Sequence, residues 1–128
     1  METTTALAIA PAKAAAYRST ALQRLEREKR ALALRQEQAW EVARRAARLL
    51  KADYGVRRVV LFGSLARGQG FHGRSDSDLA VWELDERLLY RAASQLLDLE
   101  PGIEVDIVMA EEAPETLKRA VESEGITL

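Results

Sequence analysis

The sequence predicts an α/β (α+β) domain in which helices pack on a small sheet. Three observations carry this. Ser19 to Ala52 contains no Gly or Pro, and its second half bears an apolar face at helical spacing. Beyond Gly55 the period changes to short, continuous apolar runs of strand length. Those runs then alternate with further helical patterns, giving the order α-β-(loop)-β-α-β-α.

Taken in order, Met1 to Ala16 is alanine-rich but has Glu2 where a signal peptide needs basic residues, with Pro11 and Lys13 interrupting it. Residues 1–16 are read as a flexible leader and 17–128 as a single domain with a long N-terminal helix over about 19–52. In the second half of that helix Ala39, Val42, Ala43, Ala46, Leu49 and Leu50 form one face. In the first half, Leu22, Leu25 and Leu32 make a thinner stripe broken by Lys29 and Gln36. Two readings of it stay open, a solvated charged helix and a helix resting on another chain.

Gly55 is the stop signal. Val59 to Phe62 reads as a strand covered on both faces, ended by Gly63. A polar loop follows from Gly68 to Ser75, then a strand from Asp78 to Trp82. Asp85 is the expected N-cap of the next helix, whose buried face is Leu88, Leu89, Ala92, Ala93, Leu96 and Leu97. Pro101-Gly102 is a turn, Ile103 to Met109 a third strand, and Pro114 opens a closing helix through Leu117 and Val121 that ends near Gly125.

Composition narrows the function. The 128 residues suit one domain, and a net charge of -1 offers no basic excess for coating nucleic acid. The absence of cysteine excludes disulfides and thiolate metal sites and fits a cytoplasmic protein. No apolar run reaches the length of a membrane span.

Three acids stand among apolar neighbours. Asp76 and Asp78 are two apart where a strand begins, so their side chains point the same way. Asp106 is a lone acid in Val105-Asp106-Ile107-Val108, where burying a carboxylate without a partner is costly. If the two strands are neighbours, three carboxylates converge. Hard oxygen ligands so placed suit Mg²⁺ shared with substrate phosphates, and such a site can take two ions for in-line displacement at phosphorus. Against this stands a plainer reading, with Asp76 a loop residue and Asp106 paired with an arginine.

Upstream lies Leu61-Phe62-Gly63-Ser64-Leu65-Ala66-Arg67-Gly68. Gly63 at a strand end lets backbone approach a phosphate. Ser64 and nearby N–H groups can hold phosphate oxygens, and Arg67 can neutralise phosphate or brace the acids. Arg74 and His72 read as solvated loop residues.

Together these segments resemble the nucleotidyltransferase superfamily that includes DNA polymerase beta. Gly63-Ser64, the loop Leu65 to Ser75, Asp76-Ser77-Asp78 and then Asp106 follow its signature. The extended form is similar to the minimal nucleotidyltransferases of HEPN/MNT toxin–antitoxin pairs, over about Val42 to Val121. The resemblance implies the nucleotidyltransferase fold, a small mixed sheet with flanking helices. It implies that Asp76, Asp78 and Asp106 hold two Mg²⁺ ions, that Asp106 helps deprotonate the acceptor, and that Gly63, Ser64 and Arg67 bind the nucleotide, with ATP as donor. It also implies an antitoxin role in which AMP is moved onto a tyrosine of a HEPN toxin. So short a chain is expected to take its acceptor surface from a second chain, with no direct contact to nucleic acid. Two alternatives are a non-catalytic antitoxin that neutralises by binding and a small-molecule nucleotidyltransferase.

Overall fold

The computed structural model describes residues 10–72 and 77–128. Helix α1 runs from Pro11 to Tyr54, so it starts earlier than the expected Ser19. Pro11 suits a first helical position, because its fixed φ is already helical and its missing N–H has no bond to make there. Ala12, Ala14, Ala15 and Ala16 then extend the helix as strong formers. The helix passes through position 17 without a break, so the expected junction of leader and domain matches no change in backbone. The helix ends as predicted at Gly55, where φ is +66°.

The chain divides into two compact units, residues 1–34 and 35–128. In the first, the described part is helical and mostly exposed. Tyr17, Leu22, Leu25 and Leu34 are exposed there, and Glu26 pairs with Arg30 one turn on.

The second unit holds the sheet: β1 (Arg58–Phe62), β2 (Ser77–Trp82), β3 (Val105–Met109) and β4 (Ile126–Thr127). Their order is β3-β2-β1-β4. β1 pairs antiparallel with β2 and β4, while β2 pairs parallel with β3, so the sheet is mixed. The parallel pair needs a crossover, supplied by α3 (Leu89–Leu97). A short helix α2 (Ser64–Arg67) follows β1, and α4 (Glu115–Glu124) precedes β4. The two-residue β4 was not expected, being too short to show a period.

Side chains alternate across the sheet. On one face Val60, Phe62 and Ala80 form a core with Ala110 and Val121, against which Trp82, Val108 and Leu117 pack. Val59, Leu61, Leu79 and Val81 alternate with these and are also buried. The continuous apolar runs thus reflect cover on both faces. Fully buried Ser77 donates its hydroxyl to the carbonyl of Ala39 at 3.1 Å, tying β2 to α1. The buried face of α1 comprises Ala39, Val42, Ala43, Ala46, Ala47 and Leu50. Ala47 takes the place expected for Leu49, which is only half-buried.

One helical expectation holds and one needs correcting. Asp85 caps the helical stretch that opens as a 3-10 turn (Glu86–Leu88) and runs on into α3, accepting from the Arg87 N–H at 2.9 Å. The side-chain and then backbone hydrogen bonds of Arg87 hold its carboxyl below the usual range. In α3 only Ala92 and Leu96 are buried, and Leu97 is exposed. A helix of this length covers only a narrow strip of sheet, so the wider stripe read from the sequence overshoots.

The closing helix matches expectation, with Pro114 before its first turn and Gly125 after its last. Gly125 is required by space. A Cβ there would lie 2.2 Å from the Val121 carbonyl oxygen and 2.4 Å from Val60 Cγ1, although its φ of -68° suits any residue. Gly125→Ala is expected to destabilise the protein by about 1–3 kcal/mol, because backbone must move to relieve the overlap. Urea unfolding measures it, and a midpoint equal to that of the parent would show that the turn adjusts freely.

Candidate functional site

The site forms at one end of the sheet face that α4 covers. Register decides its composition. Phe62 stands opposite Asp78, and Asp78 stands opposite Asp106 on the parallel neighbour. Opposed residues in register share a face, so the two carboxylates stand side by side at adjacent strands. Asp78 is half-buried and Asp106 is exposed. The expectation of a buried Asp106 is therefore corrected. β3 is an edge strand, and of its five residues only Val105 is buried. The carboxylate keeps its hydration, which removes the cost of burial. Asp76 and Arg74 lie outside the described residues, so of the three acids expected to converge only Asp78 and Asp106 are placed here. His72 is exposed, as expected.

Gly63 joins the end of β1 to this pair. Its φ of +86° and ψ of -160° lie in a region that essentially only glycine occupies. A Cβ at this position would stand 2.6 Å from Asp78 Oδ2. The glycine expected for closeness to phosphate is thus required already by the Asp78 carboxylate, which fills the space a side chain would take. Ser64 opens α2 and is half-buried. The segment after Gly63 begins as a helical turn rather than as the start of a loop.

Arg67 carries an ion pair that the sequence did not foretell. Its Nη1 donates to Glu124 Oε1 at 3.1 Å, and the same oxygen accepts the Gly63 N–H at 3.2 Å. Glu124 is the residue that sequence reasoning missed. Nothing in its neighbourhood marks it, apart from an acid standing last in a helix, where the macrodipole disfavours negative charge.

At the other end of the face Arg58 stacks over Trp82, 4.2 Å from the ring centroid. Together with Ala110, Lys118 and Val121 they line a cavity of about 230 Å³. Trp82 pairs with Arg58 at the far end of the β1–β2 ladder from Asp78, so this cavity is separate from the acids.

The model of the polymerase beta nucleotidyltransferase family matches residues 45–128, a stretch that includes this glycine and both acids. The chain belongs to this nucleotidyltransferase family. No curated protein matches it. Among solved structures it is similar to a chain of a toxin–antitoxin complex with AMP-PNP, at 27% identity and a TM-score of 0.56, covering 66% of this chain and 70% of that one. It is similar to a chain of a mutant MntA-HpeT toxin–antitoxin complex at 27% identity and a TM-score of 0.55, covering 66% and 69%. A tri-AMPylated Shewanella oneidensis HEPN toxin in complex with MNT antitoxin matches at 22% identity and a TM-score of 0.52, covering 70% of each chain, and shows the shared fold. The nucleotidyltransferase fold expected from the sequence is thus the fold found. No helix among the described residues is long and apolar enough to cross a membrane.

Proposed function

We propose that this chain transfers AMP from ATP to a tyrosine hydroxyl of a HEPN-type partner and so acts as an antitoxin. The observation that carries the reading is the in-register pair Asp78 and Asp106, with Gly63 pressed against the Asp78 carboxylate. Like charges directly opposite each other on neighbouring strands are unfavourable. Such a pair is retained where a cation is to be held between its members. Exposed and half-buried carboxylates are hard oxygen donors that keep room for water and phosphate ligands, which fits Mg²⁺. Asp76, Asp78 and Asp106 would hold it, two ions in this reading. Bound metal supplies neutralisation of charge on the triphosphate and on the departing pyrophosphate.

The protein's own groups do the rest. Gly63, Ser64 and Arg67 grip the β- and γ-phosphates and set the α-phosphorus in line with the acceptor. Asp106 takes the proton of the acceptor hydroxyl. An oxygen–phosphorus bond forms to the acceptor, the bond from the α-phosphorus to the bridging oxygen breaks, and pyrophosphate leaves. The similar toxin–antitoxin complexes, one with AMP-PNP, support both the donor and the partner class.

A second reading, neutralisation by binding alone, is favoured by the first unit, whose exposed Tyr17, Leu22, Leu25 and Leu34 suit a helix lying on a partner. One experiment separates the two. The partner is co-expressed with this chain or with its Asp76→Ala, Asp78→Ala double variant, and its intact mass is measured. Mass added in whole AMP units, with the parent chain only, is the expected result. An unmodified partner that stays bound and silenced by both versions would establish the binding antitoxin instead.

A further inference from the structure

Glu124 occupies an unusual place. It is the last residue of α4, where the helix dipole disfavours a carboxylate. Its side chain is only 22% exposed. One of its oxygens, Oε1, accepts both the Gly63 N–H and the Arg67 guanidinium. A single anionic oxygen held by a backbone amide and an arginine is the way proteins hold a phosphate oxygen. Both donors belong to the segment that binds nucleotide in the proposed reaction, and Gly63 also abuts Asp78.

We infer that Glu124 is a resident anion, a stand-in that the triphosphate of the nucleotide displaces on binding. This rests on the nucleotide-transfer reading and adds a residue to it. While the site awaits nucleotide, the carboxylate keeps the amide and the guanidinium satisfied and aimed at one point. The arginine side chain is 45% exposed and long, so it can turn from carboxylate to phosphate without moving the backbone. Competition for two donors lowers nucleotide affinity. Glu124 is thus a positioning residue that also sets how tightly nucleotide is held.

The test is calorimetric titration of the full chain with ATP in excess Mg²⁺, for the parent, Glu124→Gln, Glu124→Ala, Arg67→Ala and the double variant Arg67→Ala, Glu124→Gln. Losing the competing charge is expected to tighten binding about three- to tenfold in both Glu124 variants, the range for a partly exposed charge-assisted bond. The gain should shrink to about twofold or less when Arg67 is absent, because the two residues act through one contact. Replacing a merely structural Glu124 would not raise affinity. If the parent binds and the Glu124 variants bind equally or more weakly, the stand-in role is wrong and the nucleotide reading survives. If neither parent nor variants bind, both are overturned.

Discussion

Asp78→Asn is expected to lower the rate of nucleotidyl transfer by about 10³-fold or more, the scale seen when a preorganised electrostatic group is removed from a reacting site. Asparagine keeps the size of the side chain and one oxygen, so the contact with Gly63 can persist. What is lost is the charge that faces Asp106 across the parallel pair. Because the shape and one hydrogen-bonding oxygen are kept, the variant should unfold close to the parent's temperature. Added Mg²⁺ with ATP should raise the parent's unfolding temperature and leave the variant's almost unchanged, since a ligand stabilises only what binds it. A single-turnover assay of label passing from ATP to the partner gives the rate, and thermal unfolding gives the control. A variant that is less stable without metal, yet transfers within about tenfold of the parent, would mean that the carboxylate serves the fold and not the reaction. The opposite pattern, a dead and unweakened protein, is the mark of a residue kept for function at some cost in stability.

How far the sequence could be read follows from what period and register can encode. Val59 to Phe62 and Asp78 to Trp82 were legible as strands because cover on both faces leaves a continuous apolar run. Gly55 and Pro114 were legible because backbone constraints act locally. Whether acids two apart at a strand start meet an acid on another strand depends on strand order, which period does not contain. Register then supplied the pairing of Asp78 with Asp106. Asp106 misled because an apolar run looks buried, whereas an edge strand has a neighbour on one side only. Leu49 misled because it stands at one edge of the apolar face and is only half-buried, while Ala47 at the other edge is buried. Glu124 was illegible for a deeper reason. Its partners Gly63 and Arg67 stand far away in the chain, and the contact exists only once α4 has returned beside β1. Its one local sign is a carboxylate at the wrong end of a helix, a local rule broken, and such breaks gather at functional sites.

Gly63→Ala is expected to harm both stability and activity, through one contact. The backbone at this position has φ +86° and ψ -160°, and holding a residue other than glycine there costs about 1–3 kcal/mol. The new methyl group would also stand 2.6 Å from Asp78 Oδ2. Either the Asp78 carboxylate rotates away or the end of β1 shifts, and the overlap adds about 1–3 kcal/mol. Both movements displace an acid proposed to hold metal. A shift of about 1 Å at a reacting site costs on the order of 10²-fold in rate. The two components can be separated in a double-mutant cycle with Asp78→Ala, which removes the oxygen that the methyl group meets. In that background the overlap disappears and only the backbone cost remains, so Gly63→Ala should destabilise by clearly less than in the parent. Urea unfolding of the four proteins measures the difference. Equal destabilisation in both backgrounds would show that conformation alone requires the glycine, and that its closeness to Asp78 is incidental. A smaller cost without Asp78 would show that strand end and acid are fitted to each other, which ties the glycine of the motif to the acid pair rather than to the phosphate alone.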